Sequence, residues 1–221
     1  MATDLIDWKV EILLDIQGVP DPGIERAVRI AAIEFCEETL LWKYALTRIN
    51  VASGTVGYAL TPPSDSRLIG IESVLYKANS AADTTFDPLD PISQDQKDLF
   101  STTAWRFESG TPVGYYHDED ITPLNLYPIP DASSTSGLLV TVHLIPTDDC
   151  TSIDDFLWNM YHDAIGAGAQ AYLLSKKDMP WYDPGAAMDR RNRFIGFIDS
   201  AIRKMGRKYI PKADKESRPK T

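Results

Sequence analysis

The chain has 221 residues, 43% of them apolar, with 5 Trp, 10 Tyr and 7 Phe, enough to bury one large core or two small ones and to exclude a wholly disordered chain. Its formal charge of −10 excludes nucleic-acid binding over a broad surface, because such binding runs on Lys and Arg neutralising phosphates. No apolar run nears the roughly 18–20 residues that cross a bilayer, and the acidic opening MATDLIDWKVEILLD lacks the basic region of a signal peptide. The expectation is a soluble protein made and used in a cytoplasm, with no membrane partner.

In chain order, TDLIDWKVEILLDI reads as a short helix capped by Thr3, with Leu5, Ile6, Trp8, Ile12 and Leu13 as its apolar residues. QGVPDPG breaks it. Asp21 followed by Pro22 is a cap and first-turn proline, and Ile24, Val28, Ala31, Phe35 and Thr39 recur at helical spacing, which predicts a second helix over about 23–42. The character then changes. Residues 47–51, 55–60 and 67–77 alternate and are rich in β-branched residues, so they read as strands. After a looser stretch, in which DPISQDQKDLF reads as a short helix or a turn, come strands at 113–117, 123–127 and 138–144. No helix-length segment joins these three, which favours antiparallel pairing.

From Thr151 or Ser152, as a cap, a third helix runs through SIDDFLWNMYHDAIGAGAQAYLLSKK, with Asp154 and Asp155 where the helix dipole favours acids. Leu157, Tyr161, Ala164, Gly168 and Ala171 form one face. The small-residue centre costs helix propensity of about 1 kcal/mol per glycine, and close approach of a neighbouring helix is the return expected for it. A last helix is predicted over about 185–206, with Phe194, Phe197, Ile198, Ala201, Ile202 and Met205 as its apolar stripe and Gly206 at its end. The whole is an α+β chain: a helical bundle from the two ends, a central antiparallel β domain and an extended tail. The expected division is 1–45, 46–147, 148–206 and a basic tail 207–221. From Arg203 onward eight basic residues face two acids, a net +6 on a preceding chain of −16, and such asymmetry marks an interacting tail as readily as a solvated one.

Local chemistry is sparse. His117, His143 and His162 have no metal-ligand spacing to one another or to Cys36 and Cys150, and the two cysteines read as free thiols. GAGAQA lies mid-helix, not between a strand and a helix start, and so is no phosphate cradle. The acids of HDED (117–120), at a hairpin tip, read as solvated. The aromatics belong by default to the core, although exposed clusters of them would mark a partner or sugar surface. No catalytic, cofactor or metal residue is assigned.

The segment from Gly110 resembles the tail adaptors, or head-to-tail connectors, of tailed bacteriophages. The pattern is a short "G, x, P, x, x, Y" strand, a hairpin, a strand ending in "P, x, P" and a strand ending in an apolar residue and proline. Gly110, Pro112, Tyr115, Leu126, Tyr127, Pro128, Pro130, Leu144 and Pro146 hold those places. Helices of matching character flank it, so that the likeness spans about residues 3–206, with the insert 78–103 as a departure. The resemblance implies a structural virion protein, assembled in the host cytoplasm into a ring of about twelve copies. Such a ring binds the portal protein on one side and tail tube or nozzle proteins on the other, and passes DNA through its lumen without reading its sequence. Positions matching the family's portal-reaching segment are Arg207, Lys208, Tyr209, Ile210, Pro211 and Lys212. Acids facing the lumen would repel phosphates, with Glu25, Glu34, Glu37 and Glu38 as candidates. The rival readings are a head-completion or tail-terminator protein and, in another class, a carbohydrate-binding or hydrolytic module built on the strand aromatics and HDED.

Overall fold

The computed structural model describes residues 2–78, 85–93, 107–118 and 120–208, with side chains up to 205 in the last helix. Contacts divide the chain into a helical unit, made of residues up to Thr39 and from Asp148 onward, and a β unit, Leu40–Thr147.

The helical unit opens with a strand where the sequence predicts a cap. β1 (Ala2–Asp4) pairs antiparallel with β12 (Ser152–Asp154), matching Thr3 to Ile153. Thr3 is therefore not a helix cap, and its hydroxyl donates to Asp155 Oδ1 at 2.7 Å. The same ladder takes Ser152 away from capping, and the next acid, Asp154, caps instead by accepting from the Phe156 N–H at 3.1 Å. A 3-10 turn, Leu5–Trp8, leads into the short α1 (Lys9–Leu13). Trp8 is fully buried, edge-on to Trp158, with its indole N–H on the His162 carbonyl.

Helix α2 is Asp21–Thr39, three residues shorter at its end than its periodicity suggests. Its predicted face, Ile24 to Thr39, is buried throughout. Leu40 ends it by turning to φ 50°, a left-handed conformation that a non-glycine residue adopts at a cost. The apolar residues that follow belong to the β unit. Helix α3, Asp155–Leu174, carries the Gly/Ala centre into the core. A Cβ at Gly168 would stand 2.9 Å from the Ala31 Cβ of α2 and 3.0 Å from the Phe194 ring, so the missing side chain permits the close approach expected of it. Helix α4, Pro184–Lys208, runs on through Gly206, and Asp183 accepts from the N–H groups of Gly185 and Ala186 at 3.0 Å each. Its core face is Ala187, Phe194, Ile198 and Ala201. Ile202, assigned to that face from the sequence, is 42% exposed, because one residue beyond Ala201 is a further 100° around the helix.

In the β unit one sheet runs in the order β2-β11-β5-β6-β8-β9-β4, with β3 also on β11. The strands are β2 (Lys43–Ala45), β3 (Ile49–Val51), β4 (Gly57–Tyr58), β5 (Ser66–Tyr76), β6 (Asp87–Pro91), β8 (Gly114–Tyr116), β9 (Leu124–Tyr127) and β11 (Ser134–Pro146). β11 is the spine: β5 lies along one edge, β2 and β3 along the other. Pairing is antiparallel except where β6 meets β8 and in a separate small ladder of β7 (Ser109–Gly110) with β10 (Ile129–Pro130). The expected short helix or turn in DPISQDQKDLF begins as the end of β6, and its residues 94–100 lie outside the described residues.

Candidate interaction surfaces

The residues of the "G, x, P, x, x, Y … P, x, P" pattern meet as partners. Tyr115 pairs with Leu126, Gly114 with Tyr127, and Gly110 with Pro130. Gly114 is tightly enclosed, since a Cβ there would come 2.7 Å from Ile92 and 2.9 Å from the Asp90 carbonyl. Tyr127 reaches out to donate to Glu108 Oε2 at 2.7 Å, and this bond first, then burial, lifts the phenol above its usual range. The spaced pattern is thus the trace of a hairpin and the small parallel ladder beside it, a framework whose polar atoms are spent on the fold.

The titratable clusters likewise have structural partners. His143 sits on β11, 8% exposed, with Nδ1 2.8 Å from the Leu40 carbonyl and Nε2 2.8 Å from Glu72 Oε2. Both partners are acceptors, so both contacts are hydrogen bonds only when the ring carries two N–H groups. Lys43 also pairs with Glu72. That hydrogen bond, with a smaller one from His143 and against some burial, holds the Glu72 carboxyl below its usual range. His117 Nδ1 lies 3.1 Å from the Asp118 carbonyl and His162 Nδ1 3.0 Å from the Trp158 carbonyl. Among the described residues no group of three His, Cys, Asp or Glu could hold a metal. Cys36 and Cys150 are both buried and outside any disulfide, and burial, aided by Glu37, pushes the Cys36 thiol far up.

A cleft in the helical unit is lined by Ile30, Ala31, Tyr172, Ala187 and Met188, with Glu34 and Arg191 at its rim. It has one aromatic wall and an ion pair, not the aromatic walls and paired acids that a glycan-hydrolysing module calls for. HDED lies in the other unit, at the turn between β8 and β9, with Glu119 outside the described residues.

Exposed apolar side chains occur in both units: Phe107 and Val113 in the β unit, and a set on or beside the helices. Val10 and Leu14 on and just after α1, Met160 on α3, and Met188, Ile195 and Ile202 on α4 are all 42% exposed or more. Of these, sequence reading singled out Ile202 alone, and as a core residue, although the seven-residue recurrence of the α4 set was there to see. Two arginines anchor α4: Arg190 to Asp15 at 2.9 Å, and Arg191 by a two-pronged contact to Glu34. Glu34, a candidate lumen acid, is thereby tied to α4, whereas Glu37 and Glu38 are exposed. Of the expected portal-binding residues, Arg207 and Lys208 continue the backbone of α4, and Tyr209, Ile210, Pro211 and Lys212 lie outside the described residues. No helix among the described residues is long and apolar enough to cross a membrane.

Comparison with curated proteins returns no match. Against protein families, residues 2–219 match the one described as SU10 adaptor protein. With nearly the whole sequence matched, and its helical and β parts both included, the chain belongs to the SU10 adaptor protein family of phage head-to-tail connectors, and its role is structural, not catalytic.

Proposed function

We propose that the chain is one subunit of a ring of about twelve copies that joins the portal protein to the tail tube or nozzle and lets DNA pass. The observation that carries the proposal is the family match over residues 2–219. The chemistry agrees with it. The last helix carries exposed cations at Arg203 and Lys204 after its buried Ala201, and Arg207, Lys208 and the aromatic and aliphatic pair Tyr209 and Ile210 follow in sequence. Apolar anchors amid charges suit an acidic, partly apolar groove, and Arg207 to Lys212 are assigned to a portal. An acidic body suits a conduit for DNA, and Glu37 and Glu38, exposed on α2, are the candidate acids that would repel phosphates there. The ring's place is the head-tail interface of the virion, reached after assembly in the host cytoplasm.

The test is the mass, by light scattering, of the chain alone and mixed with portal rings from the same source. Addition of about twelve copies per portal, lost on truncation after Met205, is the expected result. Six copies would indicate a terminator, and no association with any portal would remove the docking role of the tail.

A further inference from the structure

At Leu40, the first residue of the β unit, the backbone takes φ 50°, a left-handed conformation unfavourable for leucine that persists only where its surroundings hold it. The Leu40 carbonyl lies 2.8 Å from His143 Nδ1. The other ring nitrogen, Nε2, lies 2.8 Å from Glu72 Oε2. One imidazole thus bridges the turn at Leu40 to strand β5, between two groups that can only accept.

The bridge is complete only while the ring carries both protons. A neutral imidazole has a single N–H, and its other nitrogen presents a lone pair. The two acceptors compete for that N–H unequally, because a carboxylate makes a stronger bond than a peptide carbonyl. Lys43, opposite His143 in the ladder with β2, pairs with Glu72 through the other oxygen, Oε1, which leaves Oε2 to the ring. On β5 the residue opposite His143 is Gly70, where even a Cβ would stand 3.6 Å from the ring, so that position adds no charge. Strand β3 meets β11 at Ser134 and Leu138, away from His143. Before the turn, Glu37 and Glu38 precede Leu40 in sequence.

We infer that His143 is a proton-dependent clamp on the turn at Leu40. Doubly protonated, it ties the turn to β5. As pH rises the ring gives its Nδ1 proton to water, keeps the N–H that faces Glu72, and sets a lone pair against the Leu40 carbonyl. The turn is then released from its left-handed conformation, and the passage of the chain into the β unit slackens. The clamp's contribution is present on the acid side and lost as pH rises, the opposite sense to that of Glu72, whose carboxyl is held below its usual range and stays ionised throughout. It lies within the β unit and works in a single chain, with or without a ring of copies.

The test uses the full chain between about pH 5.5 and 8.5, the interval in which histidines change charge. Nitrogen-15 NMR of the imidazoles, with His143→Gln to assign the His143 signals, should show both ring nitrogens protonated at the acid end and the proton on Nε2 at the basic end. The Lys43 amide, which bonds to the Leu41 carbonyl at 2.9 Å, should lose at least about fivefold in hydrogen-exchange protection, corrected for the intrinsic rate, with the midpoint of the ring titration; this is the effect of one hydrogen bond. The Leu46 amide, on the Val140 carbonyl, should keep its protection. In His143→Gln the Lys43 response should be flat. A neutral ring with its proton on Nδ1, or a ring that does not titrate, overturns the clamp from the wild type alone, whether or not the variant folds. Lys43 protection that is constant, or that keeps its pH dependence in His143→Gln, overturns it as well.

Discussion

The helical unit and the β unit are held together by opposite means. The helical unit is built from the chain's two ends, and its centre is a meeting of small residues, where Gly168 lets α3 come against Ala31 and Phe194. The β unit is one continuous segment, Leu40–Thr147, organised on a single long strand, β11, with neighbours on both edges. In the first, stability depends on volume fitted to within a methyl group; in the second, on ladder hydrogen bonds and alternate side chains such as Leu138, Val140, Val142 and Leu144, all buried. A protein made in this way has two cores with separate failure modes, and damage to one need not be read in the other.

The largest test of that separation is Phe194→Ala. Phe194 is fully buried and its loss should cost about 3–5 kcal/mol. Hydrogen exchange read by mass spectrometry should then rise in α2, α3 and α4 while β11 stays protected. Leu138→Ala, at about 2–5 kcal/mol, should give the reverse pattern, and a uniform rise from either change would show one cooperative core. The next tests sit two residues apart on α3. Gly168→Ala gains helix propensity of about 1 kcal/mol but overpacks a site with contacts of 2.9 and 3.0 Å, at about 1–3 kcal/mol, so the net is a loss of about 1 kcal/mol in urea unfolding. Gly166→Ala meets only the Glu11 Cβ at 3.8 Å and should stabilise by up to about 1 kcal/mol. Equal signs would mean that volume does not govern the helical core. The smallest effect belongs to Glu72. Its folded pKa is depressed, so its contribution is complete above the unfolded value of about 4.3 and is lost as pH falls through the folded value. The stability gap between wild type and Glu72→Gln should be constant near neutrality and close only on the acid side, with the β unit alone responding.

The helices were legible because their cores follow a single period. Ile24 to Thr39 reads straight from the sequence, and so does the Gly/Ala centre of α3 with its purpose. Their boundaries were less so, since the caps at Thr3 and Ser152 compete with a strand pairing between residues about 150 apart, which no local signal announces. The long strands β5 and β11 and the hairpin of β8 and β9 also stood out through alternation. Strands of two or three residues, such as β2, β7 and β10, are too short to alternate, and the parallel meeting of β6 with β8 depends on a distant register. As for function, the motif residues proved to be partners in a ladder, while the exposed apolar line of α4 is hard to tell from a core stripe by period alone: Ile202 fits both until the neighbouring helices show which side they occupy.

The chain passes from the helical unit to the β unit at 39–40 and returns at 147–148, and both passages attach to adjoining strands. β2 follows the first and β11 ends at the second, and they run antiparallel, with His143 opposite Lys43 and the Leu144 N–H donating to the Trp42 carbonyl at 2.8 Å. Any pull transmitted along the backbone from one unit reaches the other through this one pair of strands. The imidazole of His143, between the Leu40 carbonyl and Glu72, lies at the end of this pair where the chain both enters and leaves. The β unit thus closes on itself, its first and last strands held to each other by their own ladder, so that its two chain ends leave it side by side.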